Sequence, residues 1–383
     1  MTKDRGFMSL CLMLSAFTAK SLALLGAIIG FGLLITIHEL GHFAFCKLFG
    51  IHTPTFSIGM GPIIYKKRIG STDFALSALP LGGYVEMAGL SEIAQGDQKS
   101  ATVQDHTSFQ QKPYWQKFLV LIGGITFNML FAYLVFISLF AIGMPTMKQI
   151  DGIKIISIIQ GSAAEKHGLK LNDQIIGADD ITFAQQETYA LKAFQELLQG
   201  NPHKTLEFRV LRENKTKKVK VTLEARNDNG TQIGMLGAGL EVINPTYAKE
   251  RLPFIKAIKK GIESVNNISY NIIQSFKMMF KKKSIDGAGG PVMILAQSFS
   301  SAQQGLSYLL IFLAIISVNL AIMNLLPLGA LDGGQLMFTT IEAIIRRPLP
   351  DIVRIIINVS SLVLFLGLAI YLTYYDILKL LGW

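Results

Sequence analysis

The sequence predicts a polytopic α-helical membrane protein with an inserted soluble α+β domain. Half of its 383 residues are hydrophobic, only 16% are charged, and the mean hydropathy is +0.41. Soluble domains usually contain about 25% charged residues. Four apolar stretches are long enough to cross a membrane, which takes about 20 residues. A wholly soluble protein is therefore excluded.

Each predicted membrane helix corresponds to one apolar stretch, and the first follows an N-terminal extension, residues 1–20. This extension has a basic start and an apolar run, as a signal peptide does, but no clear small-x-small cleavage site precedes the next apolar run. The predicted membrane segments are a first helix at 21–49, a loop at 50–114, a second helix at 115–145, a third helix at 301–334 with its span at Leu306–Leu326, and a loop and fourth helix at 335–383 with its span at Ile355–Tyr375.

The composition changes between the second and third apolar stretches. Residues 146–245 hold 25 of the chain's 62 charged residues, and short apolar runs alternate there with turn residues. Such runs are typical of strands, whereas the residues near Glu187–Leu198 follow a helical pattern. We therefore predict one soluble α+β domain between two membrane helices.

The formal net charge of +10 lies mostly in one segment, 246–283, which has nine basic and two acidic residues. Apolar side chains recur there at helical spacing, from Phe254 to Met279. This pattern predicts amphipathic helices on the membrane surface within 246–300. An ordinary helix packed on the soluble domain is the alternative. Because the excess charge adjoins membrane segments, we expect a lipid bilayer and no nucleic acid as the partner.

A metal-binding pattern lies in the first predicted membrane helix, at His38-Glu39-Leu40-Gly41-His42. Two histidines four residues apart share one helix face and can bind one zinc ion. Glu39 would then be placed to take a proton from the attacking water and pass it to the leaving amine. Two hydrogen-bonded core histidines are the alternative, but such polar groups in an apolar span are costly without a function.

A third zinc ligand is expected from elsewhere in the membrane part, because no metzincin histidine follows this motif. Asp332 ends an uncharged run of 45 residues, Gly287–Leu331. A carboxylate at such a place indicates a functional site. Pro327 interrupts the helix, and Gly333 and Gly334 allow an irregular backbone close to a metal. A solvated helix cap at the membrane edge is the alternative for Asp332.

Together these motifs resemble the site-2 protease family of intramembrane zinc metalloproteases. In that family, HExxH pairs with a distant Asn-x-x-Pro…Leu-Asp-Gly motif, which here is Asn324-Leu-Leu-Pro327 followed by Leu331-Asp332-Gly333. The family usually has a second proline where this chain has Gly329. The resemblance implies that His38, His42 and Asp332 are the zinc ligands, that Glu39 is the catalytic base, and that Asn324 and Pro327 lie near the substrate.

The resemblance extends along most of the chain and is closest to the regulator-of-sigma-E protease branch. Residues 56–62 and 80–87 resemble a membrane-associated β-hairpin region, and residues 115–128 resemble the start of the second core helix. Residues 161–176 resemble part of a PDZ domain, and the inserted segment has room for one. The resemblance thus adds a hairpin and a PDZ domain to the predicted fold.

A bacterial inner-membrane protease is the function that this resemblance implies. Its substrates would be single-span membrane proteins, such as anti-sigma factors or remnant signal peptides, cut in regulated intramembrane proteolysis. Basic residues in the loops 47–117 and 335–352 favour a cytoplasmic position of both loops, with the active site towards the cytoplasm and the PDZ domain outside, whereas Lys3 and Arg5 favour the opposite orientation. That domain would filter substrates by size or capture peptide C-termini. A non-catalytic PDZ-bearing scaffold with a structural metal and a metal transporter are the alternatives.

Overall fold

The computed structural model describes residues 2–89, 106–183, 190–228, 231–243, 246–282 and 289–380. The chain forms two compact units, which we call the helical unit (Met1–Ile142 and Leu252–Trp383) and the inserted unit (Gly143–Arg251). The helices are α1 (Thr2–Leu48), α2 (Tyr114–Leu121), α3 (Gly123–Ile142), α4 (Ala163–Lys166), α5 (Ala190–Gln199), α6 (Phe254–Lys282), α7 (Pro291–Gln304), α8 (Leu306–Asn324), α9 (Asp332–Ile345) and α10 (Asp351–Leu380).

Twelve strands occur in the described residues, two of them in the helical unit and the others in the inserted unit. They are β1 (Thr55–Ile69), β2 (Thr72–Val85), β3 (Met144–Gln149), β4 (Gly152–Ile158), β5 (Gln174–Ala178), β6 (Ile181–Thr182), β7 (Thr205–Arg212), β8 (Lys215–Thr222), β9 (Glu224–Asp228), β10 (Thr231–Met235), β11 (Ala238–Ile243) and β12 (Thr246–Glu250).

The described residues contain four helices that are long and apolar enough to cross a membrane, which confirms that part of the predicted fold. The spans are Ser21–Leu48 in α1, Gly123–Ile142 in α3, Leu306–Asn324 in α8 and Asp351–Leu378 in α10. Helices satisfy their own backbone hydrogen bonds, which is what an apolar environment requires.

Two segments of the helical unit form helices that the sequence analysis did not predict. Helix α1 begins at Thr2, so residues 2–20 continue into the first span without a break. Most of the predicted loop after Asp332 forms α9, which buries Phe338 against the rest of the unit. Apolar side chains of α9 can be buried only once neighbouring helices surround it, and the local sequence does not show that.

Strands β1 and β2 form a bent hairpin around a turn at Gly70. Near its base the hairpin folds back, so that Ser57 of β1 lies between Ala75 and Tyr84 of β2. Residues 83–85 pair only with β1 in the described part of the chain, and they form an edge. The hairpin base packs on the end of α1 and on α2 through a buried apolar cluster that includes Cys46, Ile51, Phe56, Val85, Met87, Phe109, Val120 and Leu121.

Helix α6 packs along α3 through its small and apolar face. Ala257 and Val265 are fully buried, and Gly261 lies against Ile137. Tyr133 of α3 also donates a hydrogen bond of 2.7 Å to the Asn266 side chain. One face of α6 is therefore anchored to a span, and a membrane-surface position for its exposed lysines stays a prediction.

The inserted unit contains an antiparallel sheet in the order β11-β4-β5-β7-β8, with β6 beside β5. Its core is a separate apolar cluster that includes the aromatic side chains of Phe183, Phe194 and Phe208. Strand β3 pairs with β12, which explains why this unit runs from 143 to 251 and is wider than the predicted 146–245.

A buried ion pair closes the loop before β5 in the inserted unit. Both Asp173 carboxylate oxygens accept hydrogen bonds of 2.7 Å from Arg212, and Asp173 also accepts one from the Lys170 backbone N–H. Burial raises the pKa of Asp173, but these hydrogen bonds and charges outweigh it and leave the pKa below its usual value. The pair therefore joins this loop to β7 at neutral pH.

Candidate metal centre

Helix α1 places His38 and His42 on one face, as their four-residue spacing predicts. The two Nε2 atoms are 3.3 Å apart. Nδ1 of His42 donates a hydrogen bond of 2.8 Å to the Val120 carbonyl oxygen. Such a bond fixes the tautomer and leaves the Nε2 lone pair of His42 available for a metal.

Asp332, the first residue of α9, completes a three-ligand cluster with the two histidines. Its Oδ2 lies 3.1 Å from His38 Nε2 and 3.5 Å from His42 Nε2. The side chains are only 12% exposed for His38, 5% for His42 and 18% for Asp332. The structure thus brings together the three residues that the sequence predicted as zinc ligands.

The geometry of this cluster fits zinc. Zinc binds nitrogen and oxygen at about 2.0–2.2 Å in a tetrahedron, so two of its ligand atoms are about 3.3 Å apart. The three measured separations, 3.1, 3.3 and 3.5 Å, agree with that value. Asp332 Oδ2 is also buried and accepts no hydrogen bond from the described residues. A metal would satisfy this oxygen, because buried polar atoms need a partner.

Asn128 of α3 belongs to the site, although the sequence did not predict it as a site residue. Its amide nitrogen lies 3.2 Å from Nδ1 of His38, and its Oδ1 is buried without a partner among the described residues. If His38 binds metal through Nε2, Nδ1 carries the proton and needs an acceptor. Turning the amide by 180° supplies Oδ1 as that acceptor. Ser317 of α8 donates a hydrogen bond of 2.9 Å to the backbone carbonyl oxygen of Asn128 and so helps to hold this residue in place. The sequence feature that could have indicated a role for Asn128 is its position as an asparagine within an uncharged apolar run.

The backbone between α8 and α9 brings Asp332 to the histidines. Gly333 packs so closely that a Cβ would lie 2.4 Å from the Leu325 and Leu326 carbonyl oxygens. Gly329, at the position of the family's second proline, donates its N–H to Ser361 of α10 at 2.9 Å. A proline has no N–H to make this bond, so here the loop is held by α10.

Glu39, Asn324 and Pro327 occupy different places relative to the ligands. Glu39 and Asn324 line a cavity of about 260 Å³ together with His38 and Asp332. The Asn324 amide nitrogen is 3.4 Å from Nε2 of His38. Pro327 is exposed at the turn after α8 and is not among the residues that line the cavity. The structure therefore brings Glu39 and Asn324 to the ligands and leaves Pro327 outside.

Glycines let α3 approach the metal ligands. Gly41 of α1 and Gly123 of α3 touch through their backbones, because a Cβ on Gly123 would lie 2.7 Å from the Gly41 carbonyl oxygen. One residue further, a Cβ on Gly124 would lie 2.5 Å from His38 Cε1 and 2.6 Å from His42 Nε2. Both imidazoles therefore fit beside α3 only because Gly124 has no Cβ.

We expect Gly124→Ala to reduce zinc affinity at least about tenfold, because the added methyl group must displace one or both imidazoles. Zinc content and competition with a chelator would measure the loss. Gly26→Ala in α1 is the matched control, since its Cβ would meet Leu309 at an ordinary 3.7 Å. Equal zinc affinity in Gly124→Ala and wild type would contradict the close contact.

This chain is similar to a known protein family and to several named proteases. The profile of peptidase family M50 matches residues 26–368. A relative from Clostridium perfringens, named as a zinc metalloprotease, is 32% identical over 92% of this chain and 97% of its own. Another so named, from Nostoc, is 30% identical over 92% of this chain and 94% of its own. The regulator of sigma E protease of Haemophilus influenzae is 29% identical over 92% of this chain and 98% of its own.

The family match covers nearly the whole chain, and each of the two relatives named as zinc metalloproteases matches over more than nine tenths of its own length. It confirms the family resemblance, the zinc cofactor and the enzyme class that the motifs predicted. The chain belongs to peptidase family M50, the site-2 protease family, and is a zinc-dependent metalloprotease of the membrane.

Proposed function

We propose that this protein cuts the membrane-spanning segments of single-span membrane proteins. The observation that carries the proposal is the position of the site. His38 and His42 lie within the apolar span Ser21–Leu48, and Asn128 lies within the span Gly123–Ile142. A substrate helix in the same bilayer reaches such a site by lateral movement, whereas a soluble peptide has to leave water first.

We assign Glu39 as the proton carrier and His38, His42 and Asp332 as the zinc ligands. Zinc bound by these three residues would polarise the scissile carbonyl and make a water molecule more acidic. Glu39 lines the same cavity and follows His38 directly in α1. It takes the proton from the attacking water and delivers it to the leaving amine. Asn324, beside His38, would hold the substrate by its amide.

The edge of the hairpin formed by residues 83–85 supports the proposal that the substrate binds as an added strand. Gly83 of β2 lies over the active-site part of α1, since a Cβ there would be 3.5 Å from Glu39 Cγ. Residues 83–85 pair only on one side within the described chain. A substrate helix must be unwound before its peptide bonds can react, and an extended segment can pair with such an edge. Pro327 is proposed to contact the substrate further from the metal.

The inserted unit is proposed to be a PDZ domain. Its sheet and two helices fit a small α+β domain, and the segment 161–176 that resembles a PDZ domain forms α4 and leads into β5. Either a size filter or capture of a new substrate C-terminus is compatible with the position of this unit in the chain.

We propose that the protein lies in the bacterial inner membrane, with the inserted unit in the periplasm and the active site open to the cytoplasm.

Regulated intramembrane proteolysis is the process that we propose for this enzyme. One relative is named regulator of sigma E protease, which supports anti-sigma factors as substrates, and remnant signal peptides share the single-span form. The non-catalytic scaffold would need a metal site closed by a fourth protein ligand. The described residues offer a group of three, which favours a site open to water and substrate.

Removal of the metal tests this function. We expect the full chain in lipid vesicles to cut a single-span test substrate, to lose that activity with a zinc chelator, and to regain it when zinc is added. The control substrate carries the same sequence with charged residues inserted so that it stays in water. Cleavage that resists the chelator, or a preference for the water-soluble control, would contradict the proposal.

A further inference from the structure

A second cavity lies where α2, α9 and α10 meet, and it shares no lining residue with the cavity at the metal ligands. Its volume is about 660 Å³. Four basic side chains line it, together with two acidic ones; they are Lys117, Arg346, Arg347, Arg354, Glu342 and Asp351. The cavity is therefore positively charged overall.

This positive charge is only partly neutralised within the protein. Glu342 accepts hydrogen bonds from Arg354 and from the Leu349 backbone N–H. Arg346 and Arg347 form no ion pair with any described residue, and Lys117 lies over the Phe109 ring with its Nζ 5.9 Å from the ring centroid. The Nε of Arg354 is buried and has no hydrogen-bond partner in the same part of the chain. Unpaired cations and an unused donor in one cavity favour an anionic ligand.

The backbone at Arg346, which lines the cavity, adopts a conformation that is uncommon for an arginine. Arg346 ends α9 with φ of 54° and ψ of 29°, in the left-handed region. Glycine is the usual residue at such a helix end because it has no Cβ. An arginine there costs folding free energy, which is typical of functional positions.

The cavity lies at one end of a membrane span. The span of α10 begins at Asp351, one of the lining residues. Tyr114 lines the cavity, and the neighbouring Trp115 is 55% exposed. Aromatic residues of this kind concentrate where the membrane meets water. Basic pockets between membrane helices at that level bind lipid headgroups.

We propose that this cavity binds a phosphate group, held by Arg346, Arg347 and Lys117. An anionic phospholipid headgroup or free phosphate can supply it, and both offer oxygens that arginine contacts in pairs. The bound group would join α2 to the segment between α9 and α10, where Arg346 and Arg347 lie. Because the site is separate from the metal ligands, its test does not depend on proteolysis.

Native mass spectrometry of the detergent-solubilised full chain, titrated with phosphatidylglycerol, tests the proposal. We expect wild type to bind phosphatidylglycerol more tightly than phosphatidylcholine, and Arg346→Gly to lower that affinity about tenfold. Glycine suits the left-handed backbone, so this variant is expected to fold. Arg347→Gln is a second variant, and Lys259→Gln, an exposed lysine of α6, is the charge-matched control.

A competition with inorganic phosphate identifies the source of the phosphate. If millimolar phosphate leaves the bound phosphatidylglycerol in place, the lipid is the ligand. If phosphate displaces it, and alone raises the melting temperature of wild type but not of Arg346→Gly, free phosphate is the ligand. The proposal is overturned if Arg346→Gly and wild type bind phosphatidylglycerol, phosphatidylcholine and phosphate equally.

Discussion

Glu39→Gln is expected to lower peptide hydrolysis about a thousandfold or more, while zinc stays bound. The glutamine keeps the size of the side chain and can still line the cavity beside His38. It cannot accept the proton of the attacking water, and it has no proton to give to the leaving amine. The three proposed ligands remain unchanged, so metal content is expected to match wild type.

Two measurements on the same preparation separate catalysis from folding in this variant. Cleavage of the single-span test substrate in vesicles reports the chemistry, and zinc per protein reports the intact site. Glu263→Gln on α6 is the matched control, since it removes one exposed carboxylate from the same unit. Hydrolysis by Glu39→Gln at the wild-type rate would exclude Glu39 as the base.

Asp332→Ala is expected to weaken zinc binding at least about a hundredfold, because it removes one of three protein ligands. The two histidines of α1 would remain 3.3 Å apart but would hold the metal alone. Hydrolysis is expected to fall with the metal content, and extra zinc would restore it only in part. Asp332→Asn is a second variant, which keeps the shape and removes the negative charge.

Zinc content after dialysis against a chelator measures this effect. Asp351→Asn, an acidic residue at the start of α10, is the control for a lost carboxylate in the same unit. The melting temperature without added metal shows whether either variant has also lost its fold. Full zinc retention in Asp332→Ala would remove Asp332 from the ligand set.

The histidine pair was predictable because its geometry is local. Four residues on a helix bring two side chains to the same face, whatever surrounds the helix. Asp332 was predictable for another reason, since a carboxylate that ends a long uncharged run favours a functional site over a solvated helix cap when an HExxH motif lies in the same chain. The distance from Asp332 to either histidine could not be derived from the sequence, because it depends on how α1 and α9 pack.

Asn128 and Gly124 could not be predicted as site residues from the sequence. Both act through contacts between α3 and α1, and neither residue type indicates a metal site by itself. The approach of the two helices depends on the backbone contact between Gly41 and Gly123. Such a contact involves two positions far apart in the chain, and no local periodicity shows it.

The sequence by itself determined the membrane class, four apolar spans, the inserted domain and the zinc motif, because hydropathy and helical spacing are properties of short segments. Only the tertiary structure decided that Asp332 meets His38 and His42, that Asn128 supports His38, and that α9 is a helix. The physical reason is burial. The packing of α1 on α3 and the position of the first residue of α9 bring these groups together, and this arrangement exists only in the packed fold.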